Sequence, residues 1–177
     1  YNPEHQFLAS RGYAVLSMNF RGSTGYGRNH VKMANGQWGR KMQDDVTDSV
    51  NWAVEQGIAD PDNVCIYGAS YGGYAVMAGI TKTPKMYKCA VNYVGVTDMG
   101  LLFSKMPKVW EIWEEQQKIE IGDYDNDKEY LDAVSPINLV DRIETPLYIV
   151  HGVRDWRVPI QHAQKLRREL ELSLIHI

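Results

Sequence analysis

A chain of 177 residues with 44% apolar composition is long enough for one domain with a substantial core and too short for two ordinary ones. Its net charge of −3 comes from acids and bases scattered along the whole length, so no positive surface is concentrated for a nucleic-acid backbone or an anionic membrane. The longest apolar runs, YAVLSMNF and PLYIVHG, fall far below the roughly 20 residues of a membrane-spanning helix. The expectation is a soluble protein without nucleic-acid or membrane partners, in a cytoplasmic or periplasmic setting that the sequence does not choose between.

Apolar runs alternate with helical patterns from end to end, the rhythm of a parallel α/β fold. Residues 4–11 (EHQFLASR) read as the end of a helix closed by Gly12. Residues 13–20 (YAVLSMNF) read as a strand apolar enough to be covered on both faces. A glycine-rich loop follows over 21–40. Residues 41–57 are apolar at 42, 46, 50, 53 and 54, carry acids early and end in glycine, which describes an amphipathic crossover helix. NVCIYGAS (63–70) is a second strand feeding the helix YGGYAVMAGITKT (71–83), and KCAVNYVGV (88–96) is a third strand. The aromatic-rich stretch 101–136 reads as helices and loops added above the sheet. TPLYIVHG (145–152) is a fourth strand, and VPIQHAQKLRREL (158–170) is a helix with Pro159 near its start. Cys65 and Cys89 lie inside apolar strand-like runs, where the reading is two small core residues and no disulfide.

One stretch carries chemistry. Residues 68–72, GASYG, fit G-x-S-x-G with a strand before and a helix after, the setting in which a serine is presented on a sharp turn at the carboxyl edge of a sheet. Ser70 is the candidate nucleophile, and the Tyr71 N–H at the helix start is a candidate oxyanion donor. A serine needs a base, and that base needs an orienting acid. Asp155, in the loop leaving the fourth strand, falls on the same sheet edge and after the serine in chain order.

The base is not found in this way. His5 and His30 precede the serine, His151 lies in the fourth strand, and His162 faces either solvent or the packing surface of the last helix. The interval from Asp155 to His176 is too short for a helix, a turn, a strand and a catalytic loop. No Cys, His, Asp or Glu cluster has metal-ligand spacing, and RGSTGYGR has neither phosphate-loop pattern. No cofactor or metal is expected.

GASYGGYAV, NFRGSTGYGR, FLASRGYAVLSMNF and HGVRDWRVPIQHA resemble the catalytic domain of the prolyl oligopeptidase family of serine peptidases, in its acylaminoacyl-peptidase and dipeptidyl-peptidase branch. The resemblance runs from about residue 5 to about residue 170. It implies an incomplete α/β-hydrolase fold, a mostly parallel sheet with helices on both faces that lacks its early strands and its last strand with the histidine loop. It also implies Ser70 as nucleophile, Asp155 as acid, Tyr71 as oxyanion donor, and a substrate pocket of Tyr71, Val96, Met99, Leu102 and Val158, with core packing as the alternative for these positions. Arg21 would brace the active-site edge, and Trp110 and Trp113 would cover the site or pack a lid helix. The family's second oxyanion group, its preceding β-propeller and its histidine loop are not in the sequence. Residues 1–171 are therefore expected to form a partial peptidase domain and 172–177 (LSLIHI) a non-native tail, with an unpaired sheet edge where the last strand would add. The implied activity is hydrolysis of short peptides through an acyl-enzyme, with little or none in the segment alone. A carboxylesterase or a non-catalytic binding domain on the same fold stays open, as does a homo-oligomer of the full-length protein.

Overall fold

The computed structural model describes residues 1–173. Among them, three strands form a parallel sheet in the order β1-β2-β3: β1 (Cys65–Ala69), β2 (Cys89–Tyr93) and β3 (Leu147–Val150). The helices in chain order are α1 (Pro3–Ala9), α2 (Arg28–Lys32), α3 (Lys41–Glu55), α4 (Tyr71–Lys82), α5 (Met99–Ser104), α6 (Glu114–Glu120), α7 (Lys128–Ala133) and α8 (Gln161–Leu172). Helix α4 crosses from β1 to β2 and packs on both strands. It is buried from Gly73 to Thr81, as its small and apolar residues on every side require.

Register fixes which residues share a face, because side chains alternate along a strand. Tyr67 pairs with Val91 and Val91 with Tyr148, while Ile66 pairs with Ala90 and Ala90 with Leu147. The second set faces the core with Val76, Met77 and Ile80 of α4 and Leu166 and Leu170 of α8. Each fully buried side chain of this size contributes roughly 1.5–3 kcal/mol. The first set faces outward: Tyr67, Tyr93 and Tyr148 are exposed, and α1 meets this face through the Tyr67 hydroxyl, which donates to Glu4 Oε1 at 3.2 Å. Among the described residues β1 and β3 are each paired along one side only. No helix among the described residues is long and apolar enough to cross a membrane.

Two expectations are corrected. Residues 13–20 are not a strand. Their apolar pattern encodes burial, but a strand also needs a neighbour's hydrogen bonds, and no described strand lies alongside; Tyr13 and Leu16 are exposed. Cys65 and Cys89 are not free core thiols but a disulfide. They are register partners on adjacent strands with Cα atoms 4.7 Å apart, within the range a disulfide spans. Helix α8 ends at Leu172, and residues 174–177 of the expected tail lie outside the described residues.

Candidate active site

The turn from β1 to α4 consists of a single residue. β1 ends at Ala69, α4 begins at Tyr71, and Ser70 between them has φ 56° and ψ −115°. A non-glycine residue at positive φ is strained, and such strain persists only where the surroundings enforce it. Here the Ser70 N–H donates to Tyr93 C=O at 3.0 Å and its C=O accepts from Tyr74 N–H at 3.0 Å. Ser70 is exposed, and its side chain makes no capping bond to α4.

The glycines around it are spacers. A Cβ on Gly68 would lie 2.5 Å from the Gly72 carbonyl carbon and oxygen, and one on Gly73 would lie 2.5 Å from Gly95 Cα. The strand and helix arms of the turn therefore touch backbone to backbone. Tyr71 opens α4, so its N–H has no acceptor within the helix, and among the described residues it finds none elsewhere. An unpaired donor beside an exposed hydroxyl at a helix start is suited to a developing oxyanion.

Asp155 lies beyond β3 on the same sheet edge. Its Oδ1 accepts from the Arg157 and Val158 N–H groups, both at 2.9 Å, and its own N–H donates to Gly152 C=O at 3.1 Å. Oδ2 has no hydrogen bond among the described residues. Ser70 follows β1 and Asp155 follows β3, so both leave the carboxyl ends of strands separated only by β2. Among the described residues no histidine hydrogen-bonds either of them, and His176 lies outside the described residues.

The five residues expected to line a pocket converge on one apolar cluster. Val96, Met99, Leu102 and Val158 are buried together with Tyr74, Ile121 and Leu131, and Tyr71 packs against them. Two aromatic residues with no signal in the sequence pattern border this cluster. Phe20, at the end of the 13–20 run, tilts against Tyr71 with ring centroids 5.4 Å apart, and Trp38, from the long loop, meets Tyr71 edge-on at 4.6 Å and Tyr74 at 5.0 Å. Burial pushes the Tyr71 phenol far above its ordinary range, so it stays protonated. Arg21 anchors this loop to α3: its N–H and Nε bind Asp45 Oδ2 at 2.9 and 2.8 Å, and Nη2 binds Oδ1 at 2.6 Å. That bidentate bond holds the Asp45 carboxyl below its usual range. Trp110 faces Trp156, the residue after Asp155, at 6.4 Å, while Trp113 is exposed.

His162 turns to the packing surface. It is wholly buried, its Nδ1 accepts from the Thr97 N–H at 3.2 Å, and its C=O accepts from the Thr97 hydroxyl at 3.1 Å. The proton must then sit on Nε2, which has no partner among the described residues. Desolvation pushes this imidazole down to about 4. Between that value and an unfolded value near 6.5 the unfolded chain binds the proton first, so stability falls as pH falls through this window. The expected loss is about 3 kcal/mol by pH 4. Urea unfolding from pH 7 to pH 4 checks it, and His162→Gln should show a shallower decline.

A parallel sheet with a strained serine turn at its carboxyl edge and an acid two strands away defines the α/β-hydrolase class. The comparisons narrow this. The sequence model of the Prolyl oligopeptidase family matches residues 1–175, and the chain belongs to that family. It is 41% identical over 179 residues to dipeptidyl aminopeptidase BIII of Pseudoxanthomonas mexicana, covering all of this chain and 26% of that protein. Human acylamino-acid-releasing enzyme is 29% identical over 168 residues, covering 93% of this chain and 23% of that one. A Mycobacterium tuberculosis puromycin-hydrolyzing peptidase superposes with TM-score 0.81 at 28% identity, over 88% of this chain and 23% of its own. Pyrococcus horikoshii acylaminoacyl peptidase superposes with TM-score 0.89 over 98% of this chain and 28% of its own, a likeness of fold at 24% identity. The chain spans about a quarter of the length of these relatives.

Proposed function

We propose that this chain is the nucleophile-bearing part of a serine-type peptidase that hydrolyses short peptides through an acyl-enzyme on Ser70. The observation that carries the reading is Ser70 itself, exposed at φ 56° on a one-residue strand-to-helix turn, with the unpaired Tyr71 N–H beside it and Asp155 on the same edge. In the complete enzyme Ser70 Oγ attacks the scissile carbonyl while a histidine from outside the described residues accepts its proton. The Tyr71 N–H donates to the oxyanion as it forms. The histidine then gives the proton to the leaving amine, and water repeats the sequence on the acyl-serine. Asp155 offers Oδ2 to the histidine's other ring N–H and so fixes its tautomer. The apolar cluster around Tyr71, Val96, Met99, Leu102 and Val158 supplies the wall for the side chain preceding the scissile bond. Residues 1–171 are part of one peptidase domain, and the segment alone, without the base, turns over little or no substrate.

Support for a peptide substrate comes from the named activities of the relatives, because the fold and a serine nucleophile do not choose the leaving group. Comparing kcat/KM of the full-length protein on aminoacyl amides and on the matching simple esters tests the choice. Measurable amide cleavage, lost in Ser70→Ala, is expected. Exclusive ester cleavage would overturn the peptidase reading in favour of a carboxylesterase.

A further inference from the structure

We infer that His151 is a positioning residue for the acid, holding Asp155 in place through Val158. The inference rests on the reading of Asp155 as the acid. The loop from His151 to Val158 has little packing to shape it: Gly152, Val153, Arg154, Trp156 and Arg157 are exposed, and Val158 is the buried anchor at its end. Its conformation therefore depends on hydrogen bonds.

Three of those converge on Asp155: its own N–H to Gly152 C=O, and its Oδ1 accepting from the Arg157 and Val158 N–H groups. A fourth closes the loop from outside. His151 Nε2 lies 2.7 Å from Val158 C=O. A carbonyl only accepts, so Nε2 carries the proton and donates. Val158 is thereby held at three points: its N–H by Asp155, its C=O by His151, and its side chain by the cluster that contains Val96, Met99 and Leu102.

The consequence is directional. With its carbonyl and its side chain both held, the Val158 Cα is fixed and its N–H stays on Asp155 Oδ1, leaving Oδ2 without a hydrogen bond among the described residues. Without the His151 bond the Val158 Cα loses one of its anchors and can shift, and the N–H that it carries moves off Asp155 Oδ1. The imidazole never touches substrate in this account. Misplacement of a catalytic group by about 1 Å costs on the order of a hundredfold in rate.

The test uses the full-length protein with two substitutions. His151→Phe keeps a ring and removes the donor, whereas His151→Gln places an amide N–H at a reach similar to Nε2. For His151→Phe we expect kcat lowered about 10- to 100-fold, KM within about twofold, and the acidic limb of the kcat/KM profile moved to lower pH as the catalytic histidine loses support from a misaligned carboxylate. His151→Gln should restore most of kcat and return the limb. Equal impairment of both variants, unchanged kcat in His151→Phe, or a loss of kcat that tracks loss of folded protein with the pH limb unmoved would each overturn the inference. Asp155→Asn is measured alongside: if it leaves kcat intact, the assignment of the acid itself fails, whatever His151 does.

Discussion

Asp155→Asn in the full-length protein should lower kcat by about 10³- to 10⁴-fold and leave KM and thermal stability nearly unchanged. The substitution keeps the shape of the side chain. The Arg157 and Val158 N–H groups both donate to Oδ1, and such donors need an acceptor oxygen opposite them. The amide oxygen of asparagine must therefore take the Oδ1 position, which puts the NH2 where Oδ2 was. A group that accepted a hydrogen bond from the base would now donate one. The histidine is then driven into the tautomer that has no lone pair for the serine. A decrease of less than about tenfold, measured by steady-state kinetics on an amide substrate, would remove Asp155 from the triad.

Gly68→Ala should be the most damaging single methyl group in the turn. Its Cβ would sit 2.5 Å from both the carbonyl carbon and oxygen of Gly72. Those are backbone atoms at the start of a buried helix, so relief requires moving α4 away from β1. We expect a loss of about 3 kcal/mol or more, or no folded protein. The second glycine of the motif is different. A Cβ on Gly72 meets nothing within 4 Å, and alanine there should change stability by less than about 1 kcal/mol. Urea unfolding of the two variants side by side checks the contrast. Equal stabilities would mean that the two arms of the turn are not in backbone contact.

The sequence was most informative where local pattern and tertiary demand coincide. The run from Cys65 to Lys82 carries its own instructions, since strand composition, glycines at the turn and small residues along α4 all require the same arrangement. β2, β3, α3 and α8 were legible for the same reason. The failures share a cause as well. The apolar pattern of residues 13–20 states that the segment is to be buried, but not by what. Cys65 and Cys89 are 24 positions apart, and only the pairing of β1 with β2 makes them neighbours. His162 could have faced either way until the Thr97 N–H was placed against it. Trp38 reaches Tyr71 from a loop whose glycines conceal any period, and Phe20 from the end of the run read as a strand, so no spacing rule would have put them beside it.

His151 illustrates a further limit. In the sequence it is a histidine in the wrong place for a base, and on chain order alone it had no role. Its meaning depends on a carbonyl seven residues away, and only the folded loop brings that carbonyl within 2.7 Å.

In the proposed function the turn between β1 and α4 exists to present Ser70 as a nucleophile. Incubating the full-length protein with a fluorophosphonate and mapping the adduct by peptide mass spectrometry tests it most directly. The expected result is one stoichiometric adduct on Ser70, absent from Ser70→Ala. No adduct, or labelling that persists in Ser70→Ala, would contradict it.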